Sequence, residues 1–284
     1  MQKLLKKLAV REPDSHKGDF GRLALWAGSE KMSGCLLLAA LGALRSGVGI
    51  LECISVPEAL GPIRYRAPEA VMTPLSGDFA KDLGTVFSHA GRATAIALGP
   101  GLAGGDTAGI NGAQLREAIG ALSEECGCPA VIDADALSAI GTDAGILSGF
   151  AGRAVLTPHP GELSKLTGLS ADEIKSDREK ACREYAKKCG CVVLLKGYGT
   201  VISDGARSTL NMNGNPYMAR GGSGDILTGI IGSLLAQGFS PFDAARLGAC
   251  LHGGAGDIAC EELGLSMLPS DIPERIGRFI NGKI

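Results

Sequence analysis

The chain has 284 residues, with 28 lysines and arginines against 30 aspartates and glutamates, so it carries no charge surplus that would draw a polyanion. Aromatic residues make up only 4%, too few for base-stacking platforms, and the two observations together exclude a nucleic-acid partner. Apolar residues at 45% suffice for a buried core, and the 43 glycines follow no triplet period, which excludes a collagen-like fibre. The apolar stretch near Met1 is too short for a signal peptide, and residues 35–44 are too few to span a membrane. A cytoplasmic protein without a membrane partner is therefore expected. The nine cysteines are odd in number and lie mostly in apolar runs, which reads as reduced thiols. Two C-x-C pairs, Cys126/Cys128 and Cys189/Cys191, precede strand-like segments and lack the usual zinc-ligand spacing.

In chain order, short apolar runs predict strands at 22–26, 48–56, 93–98, 129–133, 154–157, 192–196, 200–203 and 209–212. Helical spacing of apolar residues predicts helices at 34–46, 109–124, 160–167, 170–188, 225–236, 241–262 and 270–281. Apolar strands alternating with helices imply a largely parallel sheet covered on both faces. No linker, repeat or low-complexity tract divides the chain, so residues 1–284 are read as one α/β domain.

The densest chemistry lies at residues 213–225, N-G-N-P-Y-M-A-R-G-G-S-G-D, which runs into the apolar helix at 225–236. Gly221, Gly222 and Gly224 remove the Cβ atoms around that helix's first turn, beside Ser223. The first N–H groups of a helix lack internal partners and favour an anion. Asp225 sets a carboxylate at the same point, either as a base or as a residue that satisfies the helix end. The other distinctive segments follow predicted strands: W-A-G-S after 22–26, G-P-G-L after 93–98, D-A-D-A-L at Asp133, T-P-H-P-G-E at Thr157, and K-G-Y-G-T at Lys196. Ligands of open α/β sheets collect beyond the carboxyl ends of the strands.

These motifs occur in the order found in the nucleotide-dependent NAD(P)H-hydrate dehydratases, which the chain resembles over nearly its whole length. His16-Lys17-Gly18, the 34–47 helix with L-R-S-G and His252-Gly253 extend the match. Tyr217 and Arg220 depart from the commonest pattern, where glycine and threonine are usual. The resemblance implies a ribokinase-like three-layer α/β/α fold with a mostly parallel central sheet. It also implies dehydration of the S-epimer of hydrated NADH or NADPH, with ADP or ATP as co-substrate and Mg²⁺ accompanying the nucleotide. No dedicated protein metal site is expected. A separate epimerase and a homo-oligomer, possible as a tetramer, belong to the same expectation.

By the same resemblance Asp225 is the general base and also touches substrate. Gly221, Gly222, Ser223 and Gly224 cradle the transferring phosphate. Lys196, Gly197, Tyr198, Gly199 and Thr200 hold the nucleotide, from what is also readable as a β-turn. Cys35, Gly101 and His159 line the substrate. For His159 the alternative is a strand-end loop in which Pro160 opens a helix and Glu162 charges its first turn. Asp133 and Asp135 are candidates for positioning the metal indirectly, or, for Asp135, for capping the next helix. His252 reads as a core histidine. Two other functions share parts of this pattern: a kinase of vitamin-precursor hydroxymethyl groups, and a nucleotide sensor without turnover.

Overall fold

The computed structural model describes residues 1–102 and 110–283. Its centre is a nine-stranded sheet, built from β1 (Arg22–Trp26), β2 (Ile50–Ser55), β3 (Val71–Pro74), β4 (Ala95–Leu98), β5 (Ala130–Ile132), β6 (Ala154–Leu156), β7 (Val192–Leu195), β8 (Thr200–Ser203) and β9 (Ser208–Asn211). The spatial order is β3-β2-β1-β4-β5-β6-β7-β8-β9. Pairings from β3 through β7 are parallel, and only the β7–β8 and β8–β9 pairs are antiparallel. The chain winds outward from β1 in one direction and then from β4 in the other. The crevice between the carboxyl ends of β1 and β4 is thus a topological switch point, where such sheets bind ligands.

Alternation along the strands divides the core in two. Leu23, Leu25, Leu51, Ala95, Val131 and Val155 face one layer, made by α1 (Gln2–Ala9), α2 (Ser33–Arg45), α3 (Pro57–Arg66), α10 (Ser223–Ala236), α11 (Pro241–Leu263) and α12 (Ile272–Asn281). Ala24, Trp26, Ile96, Leu98, Ile132 and Leu156 face the other. That layer comprises α4 (Phe79–Ala90), α5 (Gly112–Glu125), α6 (Ala134–Ile140), α7 (Pro160–Thr167), α8 (Ala171–Ser176) and α9 (Arg178–Cys189). Buried apolar side chains on both faces of each central strand explain why those strands read as continuous apolar runs. Among the described residues no helix is long and apolar enough to cross a membrane.

Within the first layer α2 and α10 meet backbone to backbone. A Cβ at Gly229 would lie 1.9 Å from the Ala39 carbonyl oxygen, and one at Gly42 would lie 2.4 Å from that of Ile226. Only glycine permits this approach, and it brings the start of α2, with Cys35, alongside the start of α10.

The expected strands all form: 22–26 and 200–203 keep their bounds, 209–212 shifts to 208–211, and the others are shorter by one or two residues at one or both ends. Several elements were not expected. β3, V-M-T-P, is an exposed edge strand that ends on proline, so it shows no apolar alternation. Helix α3 carries Pro57 in its first turn and Pro62 inside, and α4 places Phe79, Leu83, Val86, Phe87 and Ala90 on one face at helical spacing, a pattern that the sequence reading passed over. The helix expected at 170–188 is two helices, because Asp177 leaves helical geometry and caps α9 by accepting from the Lys180 N–H. The short α6 is capped by Asp133, not Asp135: the Asp133 side chain accepts from the Ala134 N–H. Gly109, the expected start of the helix after β4, lies outside the described residues, and α5 begins at Gly112.

Candidate active site

Helix α10 starts where the glycine cluster predicts. Gly222 is its N-cap, in the left-handed region at φ 94°, and no side chain caps the helix. Its first turn therefore presents N–H groups and the positive end of the dipole to whatever sits above Gly222–Gly224. Asp225 stands in this turn. Burial pushes its carboxyl up to about 6; neighbouring Asp133 and Asp135 add to the rise, while a hydrogen bond from Cys35 and the charge of Lys196 oppose it. A carboxylate with that value is a stronger base than an ordinary aspartate yet remains ionised near neutrality.

Lys196, at the end of β7, reaches under the same turn. Its ammonium donates to Asp133 Oδ1 at 2.8 Å and lies 3.7 Å from Glu162 Oε2. A Cβ added to Gly224 would sit 3.4 Å from Lys196 Nζ, which fixes how near the ammonium is to the helix start. Burial would lower the lysine, but Asp133, Glu162 and Asp225 outweigh it and hold the ammonium above its ordinary range. Asp133 is almost fully buried, 1% exposed, and its second oxygen accepts from Thr228 Oγ1 at 2.7 Å, one turn along α10. One carboxylate thus ties together β5, the lysine and the helix.

The rest of K-G-Y-G-T turns between antiparallel β7 and β8, so the hairpin reading holds. Arg178, at the start of α9, donates to the carbonyl oxygens of Leu195 (3.2 Å), Lys196 (3.1 Å) and Tyr198. Thr200 Oγ1 donates to the Gly197 carbonyl at 3.0 Å. Tyr198 itself is 86% exposed at the tip.

His159 is the N-cap of α7. Its Nδ1 accepts from the N–H groups of Gly161 (3.0 Å) and Glu162 (3.2 Å), and Glu162 Oε2 accepts from the His159 N–H at 2.7 Å. Because Nδ1 is an acceptor here, the proton sits on Nε2 of the neutral ring, which lies 3.5 Å from Glu162 Oε1. The helix-start alternative is therefore realised, with Pro160 at the first position and Glu162 in the first turn, and His159 adds a side-chain cap to it.

Gly101 follows β4 with φ 66°, and a Cβ there would meet Met32 Cβ at 2.8 Å and Cys35 Sγ at 3.2 Å, so no other residue fits. Cys35 opens α2, where burial and then Asp225 push its thiol up to about 12, leaving it a neutral S–H. Next to this pair, the switch point holds a cavity of about 400 Å³, lined by Trp26, Gly28, Ser29, Val56, Leu102 and Ile110 among others. Ser29 Oγ is buried there without a hydrogen-bond partner.

Asp225, Gly224, Lys196, Asp133 and Cys35 thus converge on one point, with Gly101 against Cys35 and His159 linked to Lys196 through Glu162. The family profile described as NAD(P)H-hydrate dehydratase matches residues 23–278. The chain belongs to the NAD(P)H-hydrate dehydratase family. It is 37% identical to the ADP-dependent (S)-NAD(P)H-hydrate dehydratase of Neisseria meningitidis serogroup B, over 90% of this chain and 83% of that one. The ADP/ATP-dependent NAD(P)H-hydrate dehydratase of Bacillus subtilis, crystallised with ATP and Mg²⁺, superposes with a TM-score of 0.81 at 28% identity, covering 100% and 98% of the two chains. A ribokinase-like superfamily protein of Enterococcus faecalis gives 0.84 at 27%, covering 100% and 95%. The ribokinase-like α/β fold expected from the motifs is the fold observed. The chain spans about half the length of the bifunctional NAD(P)H-hydrate repair enzymes that it matches.

Within this dehydratase-family site, four residues escaped the sequence reading. Arg178 and Thr228 act on motif residues from outside any motif, and nothing in their local sequence marks them. Asp257 of α11 accepts from the Gly214 N–H and from Asn215 Nδ2, both at 3.0 Å, and so straps N-G-N-P to the helix. His252, expected in the core, stands 3.3 Å from Ser223 Oγ at the glycine turn. Burial lowers it to about 4, so it is a neutral ring near pH 7; the His252-Gly253 match was the available signal. Arg220 points elsewhere than its place beside the turn suggests, since its guanidinium donates to the Leu265 carbonyl at 2.8 Å. Tyr217 lies partly exposed in the short turn Pro216–Met218.

Proposed function

We propose that this protein converts the S-epimer of hydrated NADH or NADPH back to the reduced dinucleotide, consuming ADP and giving AMP and phosphate. The observation that carries the reading is Asp225, a base raised to about 6 in the first turn of an uncapped helix, with the Lys196 ammonium beside it. A hydroxyl placed between Asp225 and the glycine turn has a proton acceptor on one side and an anion site on the other. Asp225 takes the proton of the ring 6-hydroxyl as that oxygen attacks the terminal phosphate. The N–H groups of Gly221–Gly224 and Lys196 hold the developing negative charge. The ring nitrogen's electrons then expel phosphate, and loss of a ring proton restores the dihydropyridine. Nucleotide is needed because hydroxide is a poor leaving group and phosphate a good one.

Lys196–Thr200 binds the nucleotide phosphates and ribose. Cys35, Gly101 and His159 line the hydrated ring, and the switch-point cavity beyond Gly101 accommodates more of the dinucleotide. Asp133 is committed to Lys196, Ala134 and Thr228, so it is a poor ligand for Mg²⁺. Among the described residues no three His, Cys, Asp or Glu side chains converge as a metal cage. A magnesium ion carried in with the nucleotide would be held mainly by phosphates and water, as is usual for Mg²⁺, and would supply charge neutralisation at the phosphates. A homo-oligomer in the cytoplasm, fed by a separate epimerase, completes the reading.

The deciding assay incubates the protein with hydrated NADH and ADP or ATP while following dihydronicotinamide absorbance and free phosphate. Recovery of absorbance together with phosphate release supports dehydration. A phosphorylated product that accumulates indicates a kinase, and nucleotide left intact indicates a sensor.

A further inference from the structure

The two C-G-C motifs occupy equivalent places in the fold, each joining the end of a helix to the amino end of an interior strand, at the opposite end of the strands from the site. Cys126 caps α5 and Cys128 precedes β5; Cys189 ends α9 and Cys191 precedes β7. In the first motif the two sulfurs are 3.1 Å apart. A disulfide bond is about 2.05 Å long, so closure needs an approach on the order of 1 Å. Gly127 between them has no atom within 4 Å of an added Cβ, leaving the turn room to adjust. Arg153 braces the turn by donating to the carbonyl oxygens of Cys126 at 2.7 Å and Cys128 at 2.8 Å. Cys126 is 5% exposed, as Cys189 is, but its neighbour Cys128 is partly exposed where Cys191 is only 1% exposed, so a small oxidant approaches the first pair past Cys128.

From this geometry we infer that Cys126 and Cys128 form a dithiol site that a hydroperoxide oxidises reversibly to an intramolecular disulfide. The hydrogen bond from Cys128 holds the Cys126 thiol below its ordinary range, with the nearby Arg153 guanidinium acting in the same direction, which favours the thiolate. That thiolate attacks one oxygen of hydrogen peroxide. The O–O bond breaks, and the departing hydroxide takes up a proton to become water, leaving a sulfenic acid on Cys126. The Cys128 sulfur then attacks the Cys126 sulfur as its own proton leaves. The S–O bond breaks, and the expelled hydroxide takes that proton as the second water. Two thiols have lost two electrons and two protons, and the peroxide has gained them. An external dithiol reverses the change.

The test treats the full chain with equimolar hydrogen peroxide, then alkylates free thiols and maps them by mass spectrometry. The expected result is a mass lower by two hydrogens, loss of alkylation at Cys126 and Cys128 only, and full recovery after dithiothreitol. In Cys128→Ser the chain should stop at a sulfenic acid on Cys126 that dimedone traps. In Cys126→Ser, or in Cys126→Ala should the serine variant misfold, Cys128 should lose alkylatable thiol about tenfold more slowly. The inference is overturned if Cys126 and Cys128 stay alkylatable after peroxide, or if oxygen is added to the chain without a Cys126–Cys128 bond. It is equally overturned if Cys189 and Cys191 oxidise as fast as the first pair.

Discussion

Lys196 Nζ donates to Asp133 Oδ1 at 2.8 Å across 63 positions of sequence. The same carboxylate accepts from Thr228 of α10, so Lys196 and the helix that opens at the glycine turn share one buried anchor. Asp133→Asn keeps the shape but removes the carboxylate charge that contacts Lys196 directly, leaving Glu162 and Asp225 near the ammonium. We expect a stability loss of about 1–3 kcal/mol, the usual cost of an ill-matched buried polar group. We also expect a several-fold rise in nucleotide KM with a smaller change in kcat. Denaturant melts and nucleotide titrations check both, and an unchanged KM would separate Asp133 from lysine placement.

Asp225→Asn removes the base and leaves the fold and the anion turn. Turnover should fall about 10²–10⁴-fold, the usual contribution of a positioned general base, while nucleotide binding persists. Calorimetric binding of ADP alongside turnover separates the two effects; near-wild-type turnover would remove Asp225 from the chemistry.

The pH dependence follows from the same residue. Asp225 must be ionised to act, so kcat/KM should fall on the acid side through about 6. Its folded pKa lies above the ordinary value of 3.8, so its contribution to stability is complete below 3.8 and is lost as pH rises through about 6. Above that pH the buried charge costs at most about 3 kcal/mol, a ceiling set by the shift itself. Asp225→Asn should therefore melt higher than wild type at pH 8 and show little difference at pH 4. Equal melting temperatures at both values would contradict the buried-charge account.

Much of this was legible in the sequence because the site is built from strand ends and one helix start. Continuous apolar runs located the strands, and the glycine cluster located the start of α10 to within two residues. The anchors were not legible. Thr228 and Arg178 look like ordinary helix residues, and their roles exist only once β5, β7, α9 and α10 are side by side. In D-A-D-A-L the sequence offered Asp135 as the cap of the next helix, and backbone geometry makes Asp133 the cap instead. His252 looked like core because its helix is apolar; what the helix faces, namely Ser223, is a tertiary fact. The edge strand β3 and the proline-bearing α3 were missed because proline and exposure erase the periodicity on which such readings depend.

Arg178 spans three carbonyl oxygens with one planar fork, a task lysine performs poorly. Arg178→Lys should raise nucleotide KM by a factor of several, with little effect on the pH profile set by Asp225. A variant in which KM stays constant but the acid limb moves would assign Arg178 a different role.

Arg220 tests the opposite expectation. Its guanidinium is bonded to the Leu265 carbonyl on the far side of the turn. Arg220→Thr should leave nucleotide KM within about twofold, as for an exposed surface contact, and a large rise would show that the side chain swings to the phosphates.

The central claim is that nucleotide is consumed to expel the ring hydroxyl. The most direct measurement is the stoichiometry of phosphate released to dihydronicotinamide recovered, with the S-epimer of hydrated NADH in limiting amount and ADP in excess. The account predicts one phosphate and one AMP for each dinucleotide restored, and no recovery without nucleotide. Recovery without phosphate release, or phosphate transfer without recovery, would contradict it.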